Sequence, residues 1–206
     1  MKVINQNTWK RKPHYDHFRT LEDPYFGVVI PFDVTNAYHF SKTNKVSFFG
    51  KYLHDCMKAI NDIDELKQRI VNDEVVQYKK INASATLLKS DNTFGFSYIE
   101  FENDLERFLA NINAEKNRIE TSRDLFPLRN DQECIYCSAL PWVNFSGHKE
   151  PVSGSLESVP KFAFSKISHQ HDQSMIMNVS INVNHALVDG YHVGLFSEKF
   201  QHYLNK

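Results

Sequence analysis

The chain has 206 residues, with 24 Lys and Arg against 25 Asp and Glu and a formal net charge of −1. This length supports one well-cored domain, residues 1–206, and is short for two. A near-neutral chain without strong charge segregation argues against a protein built to neutralise nucleic-acid phosphates, which needs a basic face, and sixteen Phe with nine Tyr put rings in the core or in a pocket.

At the start, MKVINQNTWKRK carries no apolar run after its charges, so no signal peptide is expected. No stretch approaches the roughly 18 apolar residues of a membrane helix. KPHYDHF predicts a short helix with Pro13 in its first turn, and FGVVIPFDVT predicts a strand. From Ser47 onward, Phe48, Phe49, Tyr52, Leu53, Cys56, Met57 and Ile60 recur at helical spacing, wide enough to pack a helix on a sheet. EVVQYKK and INASATLL read as strands, and SDNTFG as a turn leading into FSYIEF, a hairpin. NDLERFLANINAEKNRI predicts a second amphipathic helix, capped by Asn103, with Leu105, Phe108, Leu109 and Ile112 facing inward.

ECIYCSALPW reads as a strand, in which Cys134 and Cys137 point to opposite faces. A C-x-x-C metal or redox site is the competing reading, but no second Cys/His pair at ligand spacing lies nearby. Three cysteines, an odd number, make no disulfide framework, and a reduced cytoplasmic protein is expected. Strands at 133–140, 161–168 and 174–184 follow one another, the last two joined by HQHDQ. A final helix from about Tyr191 buries Val193, Phe196 and Phe200. Long helices interspersed with hairpins predict an α/β two-layer sandwich with a mixed, mostly antiparallel sheet.

Strand 174–184 alternates: Met175, Met177, Val179, Ile181 and Val183 share one face, and Asn178, Ser180, Asn182 and Asn184 the other. His185 continues the apolar parity and leaves the strand toward a dry region, just before a turn into a helix. A neutral imidazole there accepts a proton from a substrate hydroxyl if its tautomer is fixed. The plainer alternatives are a core histidine bonded to a carbonyl, and Asp189 as a simple cap with Gly190 relieving the turn.

His185-Ala-Leu-Val-Asp189-Gly190 fits an H-x-x-x-D-G signature shared by chloramphenicol acetyltransferases and dihydrolipoamide acyltransferase domains. More of the chain is similar to the first family. Asp189-Gly190-Tyr191-His192-Val193 resembles its Asp-Gly-Phe-His-Val, and Ser138 to Phe145 (SALPWVNF) its Ser-Ala-x-Pro-Trp-Val-x-Phe. Trp9-Lys10-Arg11-Lys12 followed by His14 resembles its N-terminal Trp-x-Arg-Lys/Arg-x-His, and Pro160 to Lys166 (PKFAFSK) the strand before its last hairpin. The matches run in family order, and the chain is identified as a member of the chloramphenicol acetyltransferase family.

The resemblance implies a chloramphenicol acetyltransferase-like fold and direct acetyl transfer from acetyl-CoA, a co-substrate, to a hydroxyl of chloramphenicol or a similar small aromatic alcohol. No tightly bound cofactor and no metal are expected. The resemblance makes His185 the general base, with Asp189 and Arg11 a supporting ion pair. It implies a homotrimer with sites at subunit interfaces, so that His185 faces His17 and Phe18 of another chain. His17, Phe18 and Phe26 are expected to bind the acceptor, and Trp142 and Lys166 the cofactor. The chain departs from the pattern in several places. Gly147 stands where the family has a serine that steadies the oxyanion, with Ser146 one residue early. His17-Phe18 replace Phe-Tyr, Asn184 replaces a histidine, and Ile167 stands where a tyrosine often follows the lysine.

A second reading is a catalytically weak relative that binds or sequesters an aromatic ligand, which Gly147 favours. A third, a histidine-based metal protein, rests on ten histidines, including His14/His17 and His169/His171, that lack a ligand set.

Overall fold

The computed structural model describes residues 1–129, 132–153 and 157–206 of the chain. β1 (Lys2–Val3) precedes α1 (Lys12–Phe18), where Pro13 sits in the first turn and its missing N–H is no loss. β2 runs over Tyr25–Asp33 and stops short of the end of its apolar run. The Asp33 carboxylate accepts the Thr35 N–H at 2.9 Å and its hydroxyl at 2.5 Å, turning the chain into α2 (Thr35–Thr43). Sequence periodicity had not indicated that helix. α3 (Phe48–Asn61) starts at Ser47, whose hydroxyl accepts the Gly50 N–H at 3.2 Å.

A 3₁₀ turn, Glu65–Lys67, leads into a hairpin of β3 (Gln68–Val71) and β4 (Glu74–Gln77). Its turn residues Asn72 and Asp73 both take positive φ, 51° and 64°, as a tight hairpin requires. EVVQYKK is thus strand only over its first four residues, Glu74–Gln77, and pairs with β1 and β3 in a separate three-stranded sheet. β5 (Asn82–Leu88) pairs with a short β6 (Phe94–Phe96), and beyond it FSYIEF contributes only an isolated bridge from Ile99 to Ala83. α4 (Leu105–Thr121) is capped by Asp104, not Asn103: the Asp104 carboxylate accepts the Arg107 N–H at 2.9 Å. Phe108 and Ile112 are buried, while Leu105 and Leu109 are half-buried. β7 (Cys134–Leu140), β8 (Lys161–His169), β9 (Met175–Asn184) and α5 (Gly190–Leu204) complete the order.

The large sheet has six strands in the order β2-β9-β8-β7-β5-β6. β8–β7 and β7–β5 are parallel and the other pairs antiparallel, so the sheet is mixed and mostly antiparallel. The apolar face of β9 is fully buried and belongs to the same core cluster as residues of α3 and α5. Phe196 and Phe200 of α5 pack on Phe32 and Phe162 with ring centroids 4.8–6.5 Å apart. α3 and α4 approach closely: a Cβ on Gly50 would lie 2.2 Å from a Leu109 methyl and push that side chain aside.

The polar face of β9 is not left to solvent, and Ser180 and Asn184 are buried. The segment after β7 crosses this face, where the Asn178 amide donates to the Phe145 carbonyl at 2.9 Å and the Asn184 amide to Glu157 at 2.8 Å. Polar alternation here marks a hydrogen-bonded interior face.

Candidate active site

The site starts where β9 runs out. The His185 N–H donates to the Pro24 carbonyl at 2.9 Å, extending the β2–β9 pairing by one residue and bringing the end of α1 alongside. The next turn is tight and buried: Asn184 accepts the Ala186 N–H through its side chain at 2.9 Å and the Leu187 and Val188 N–H groups through its carbonyl. Asn184 is therefore a structural hub whose importance sequence reasoning missed. Its signal was its position on the polar strand face directly before a turn.

Asp189 ends that turn as the N-cap of α5, with its carboxylate accepting the Tyr191 N–H at 3.0 Å. Arg11, 178 residues earlier, donates through Nη1 to Asp189 Oδ2 at 2.5 Å and through Nη2 to the His185 carbonyl at 3.3 Å. One guanidinium thus spans the carboxylate and the histidine backbone. Burial alone would push Asp189 up. The Arg11 hydrogen bond, the His192 and Arg11 charges and the Tyr191 N–H outweigh it and hold the carboxyl below its ordinary range.

The imidazole of His185 is half-buried. Phe18 stacks on it with centroids 4.1 Å apart and planes 7° apart, and Phe26 packs at 4.6 Å and 46°. Nδ1 is enclosed and has no hydrogen-bond partner. Phe18 meets His185 within the chain itself, because the Pro24 contact ties the α1–β2 connection to the strand end. His17 is exposed and packs edge-on against Phe18 at 4.9 Å, not against His185.

Trp142 and Lys166 lie elsewhere, in a cleft of about 630 Å³ walled by Phe48, Phe49, Tyr52 and Phe164. The β8–β9 register breaks between Phe164 and Ile167, and there the Lys166 N–H bonds the Val143 carbonyl at 2.9 Å. Ile167 and His169 also line the cleft, with Lys116 from α4. An apolar trough edged by cations suits a long ligand with an anionic end.

Ser146 and Gly147 lie in the segment over the polar sheet face, and among the described residues neither hydrogen-bonds to His185. A Cβ added at Gly147 meets nothing within 4 Å. Cys134 and Cys137 are buried, and burial pushes the Cys137 thiol far up, which makes it a poor thiolate. Among the described residues no group of three or more His, Cys, Asp or Glu is placed to hold a metal, and no helix is long and apolar enough to cross a membrane.

The family model described as chloramphenicol acetyltransferase matches residues 1–201. The chain belongs to this family. Curated relatives include the chloramphenicol acetyltransferase of Bacillus pumilus, 29% identical over 96% of this chain and 90% of the relative. Chloramphenicol acetyltransferase 3 of Escherichia coli is 24% identical over 96% of this chain and 93% of its own. A solved chloramphenicol acetyltransferase superposes with a TM-score of 0.87 at 22% identity, covering 98% of this chain and 99% of that one. The dihydrolipoamide acetyltransferase of Azotobacter vinelandii shares the fold at a TM-score of 0.72 and 12% identity, over 94% of this chain and 86% of that one. The family is one of acyltransferases, and the chain is an acyltransferase.

Proposed function

We propose that this acyltransferase moves an acetyl group from acetyl-CoA to a hydroxyl of chloramphenicol or a similar small aromatic alcohol, both substrates being bound together. The observation that carries the reading is a half-buried imidazole clamped by two rings and braced from its own backbone by Arg11. With Nδ1 enclosed, Nε2 is the nitrogen left to meet a ligand. It takes the acceptor's hydroxyl proton as the oxygen attacks the thioester carbonyl. The tetrahedral oxyanion then collapses, the C–S bond breaks, and the departing CoA sulfur regains the proton from the imidazolium. Phe18 and Phe26 form an aromatic wall for the acceptor beside His185, with His17 at its outer edge. The cleft at Trp142 and Lys166 takes CoA.

The protein acts in the cytoplasm as a homotrimer in which a neighbouring chain completes each site. Exposed Leu88, Phe94, Leu125 and Phe126, all near the β6 edge of the sheet, supply apolar surface for such contacts. Sedimentation at three times the chain mass supports this, and a monomer at micromolar concentration refutes it.

The test of function is release of free thiol from acetyl-CoA in the presence of chloramphenicol and a panel of aromatic alcohols. Turnover supports acetyl transfer. No release, with saturable ligand binding, supports instead the weak relative that sequesters an aromatic ligand, a reading favoured by the missing hydroxyl at Gly147.

A further inference from the structure

Asp189 uses its two oxygens in different directions. Oδ2 receives Arg11, while Oδ1 receives the Tyr191 N–H and lies 2.9 Å from Nδ1 of His192. His192 is only 8% exposed, and its other ring nitrogen, Nε2, lies 3.6 Å from Glu65 Oε1. Glu65 comes from the 3₁₀ turn before β3, far from this helix in sequence. A carboxylate only accepts, so this electrostatic contact favours a proton on Nε2. Nδ1 then accepts the Asp189 N–H at 3.1 Å or, in the imidazolium, donates to Oδ1. In the first state the ring is tied to the Asp189 backbone, and in the imidazolium, the state that braces the site, to its carboxylate.

Capping alone does not account for this arrangement. Glu or Gln at the third helical position closes a capping box, and neither needs a partner on a remote turn. Here the capping residue is a buried ring with a carboxylate behind it. Glu65 is itself held below its ordinary range, first by the His192 ring beside it. A continuous line therefore runs Glu65–His192–Asp189–Arg11–His185 carbonyl.

We infer that His192 and Glu65 are positioning residues for acetyl transfer: Glu65 orients His192, and His192 fixes the Asp189 carboxylate so that Arg11 holds the His185 backbone. The inference rests on the acetyl-transfer reading for its effect on rate, but the brace itself can be measured without turnover. Groups charged or titratable around Asp189 are Arg11 from the segment before α1, His192 from α5, and Glu65 behind His192.

The experiment compares the full-length wild-type chain with His192→Gln and Glu65→Gln. His192→Gln keeps a residue that caps; Glu65→Gln keeps shape and removes charge. Readouts are kcat and KM with acetyl-CoA and chloramphenicol, the melting temperature, and the pH titration of the Asp189 carboxyl carbon by NMR. For His192→Gln the expectation is a kcat lower by about 10-fold or more, with KM for acetyl-CoA within about 2-fold. The Asp189 titration moves upward, and Glu65→Gln gives smaller changes in the same direction. Unchanged kcat and an unchanged Asp189 titration overturn the inference. So does a loss of melting temperature in His192→Gln with Glu65→Gln silent in every readout, which marks a cap and nothing more. If the wild-type chain releases no thiol, the acetyl-transfer reading fails while the brace is still tested: no upward Asp189 movement in either variant overturns it.

Discussion

At the scale of single residues, the chemistry depends on where a few atoms are held. His185→Ala removes the proposed proton acceptor and a ring that stacks on Phe18, but leaves the strand hydrogen bond to Pro24 intact. Turnover is expected to drop by at least ~100-fold in a folded protein; a rate within a factor of a few of wild type removes His185 from the mechanism. Arg11→Ala leaves Asp189 and the His185 carbonyl without their shared donor, with a loss on the order of 1–3 kcal/mol in stability and a parallel fall in turnover. The sign with pH follows from Asp189. Its folded carboxyl sits below the ordinary value of 3.8, so its contribution is present above that value and is lost as pH falls through the folded one. Arg11→Ala therefore flattens the acid side of the stability profile, and an acid limb identical to wild type shows that the pair contributes nothing. Gly147→Ser introduces a hydroxyl into open space. If the oxyanion lacks a donor there, turnover rises by about 10-fold or more, toward the ~100-fold that one such donor is worth. An unchanged rate means another group already fills that role.

At the scale of elements, α3 carries a buried ion pair that its periodicity conceals. Lys51 and Asp55, one turn apart, are both buried and hydrogen-bonded at 2.5 Å. Burial pushes Asp55 up to about 6 despite the Lys51 hydrogen bond and charge. The folded carboxyl holds its proton more tightly than the unfolded one, so its contribution is greatest below about pH 4 and declines as pH rises to about 6. Asp55→Asn is expected to remove that downward slope, read as the denaturant midpoint against pH; a slope equal to wild type refutes it. The amphipathic runs of α3, α4 and α5 were legible because core-facing residues repeat every three to four positions. α2 was not: in TNAYHFSKT the buried residues are the small Ala37 and Ser41, so no run of large apolar side chains marks it, and the Asp33 bonds to Thr35 turn the chain after the strand. The cap of α4 shifted by one residue for a similar reason, since Asn103 and Asp104 both suit the position and only backbone geometry chooses between them.

At the scale of the whole molecule, the small sheet is fastened to the large one through Arg69, which is fully buried. Its guanidinium donates to the carbonyls of Leu66, Gln68, Gln132 and Cys134 at 2.6–3.0 Å. Burial lowers it to about 10, so it remains charged at neutral pH. Arg69→Met strands those carbonyls in the interior, and a loss of about 3 kcal/mol or more is expected in chemical unfolding. A variant within about 0.5 kcal/mol of wild type shows that the carbonyls find other partners. The same turn that precedes Arg69 supplies Glu65 to His192, so the small sheet also borders the brace behind the site.

Residues 174–190 divide what the chain declares locally from what folding adds. Strict alternation identified β9, the turn residues marked its end, and parity set His185 on the apolar side, because side-chain direction in a strand depends only on neighbours along the chain. Which bodies cover the two faces depends on packing. Nothing in Asn178 or Asn184 specifies that the Phe145 and Glu157 carbonyls will meet them, and the spacing of Glu65 and His192 does not foretell their contact. Local periodicity reports that a surface is apolar or polar; strand order and helix packing decide what lies against it. The sequence by itself determined the long amphipathic elements, β9 and the candidate histidine, and the tertiary structure decided what braces that histidine, since the contacts of Arg11 and Glu65 close loops of over a hundred residues.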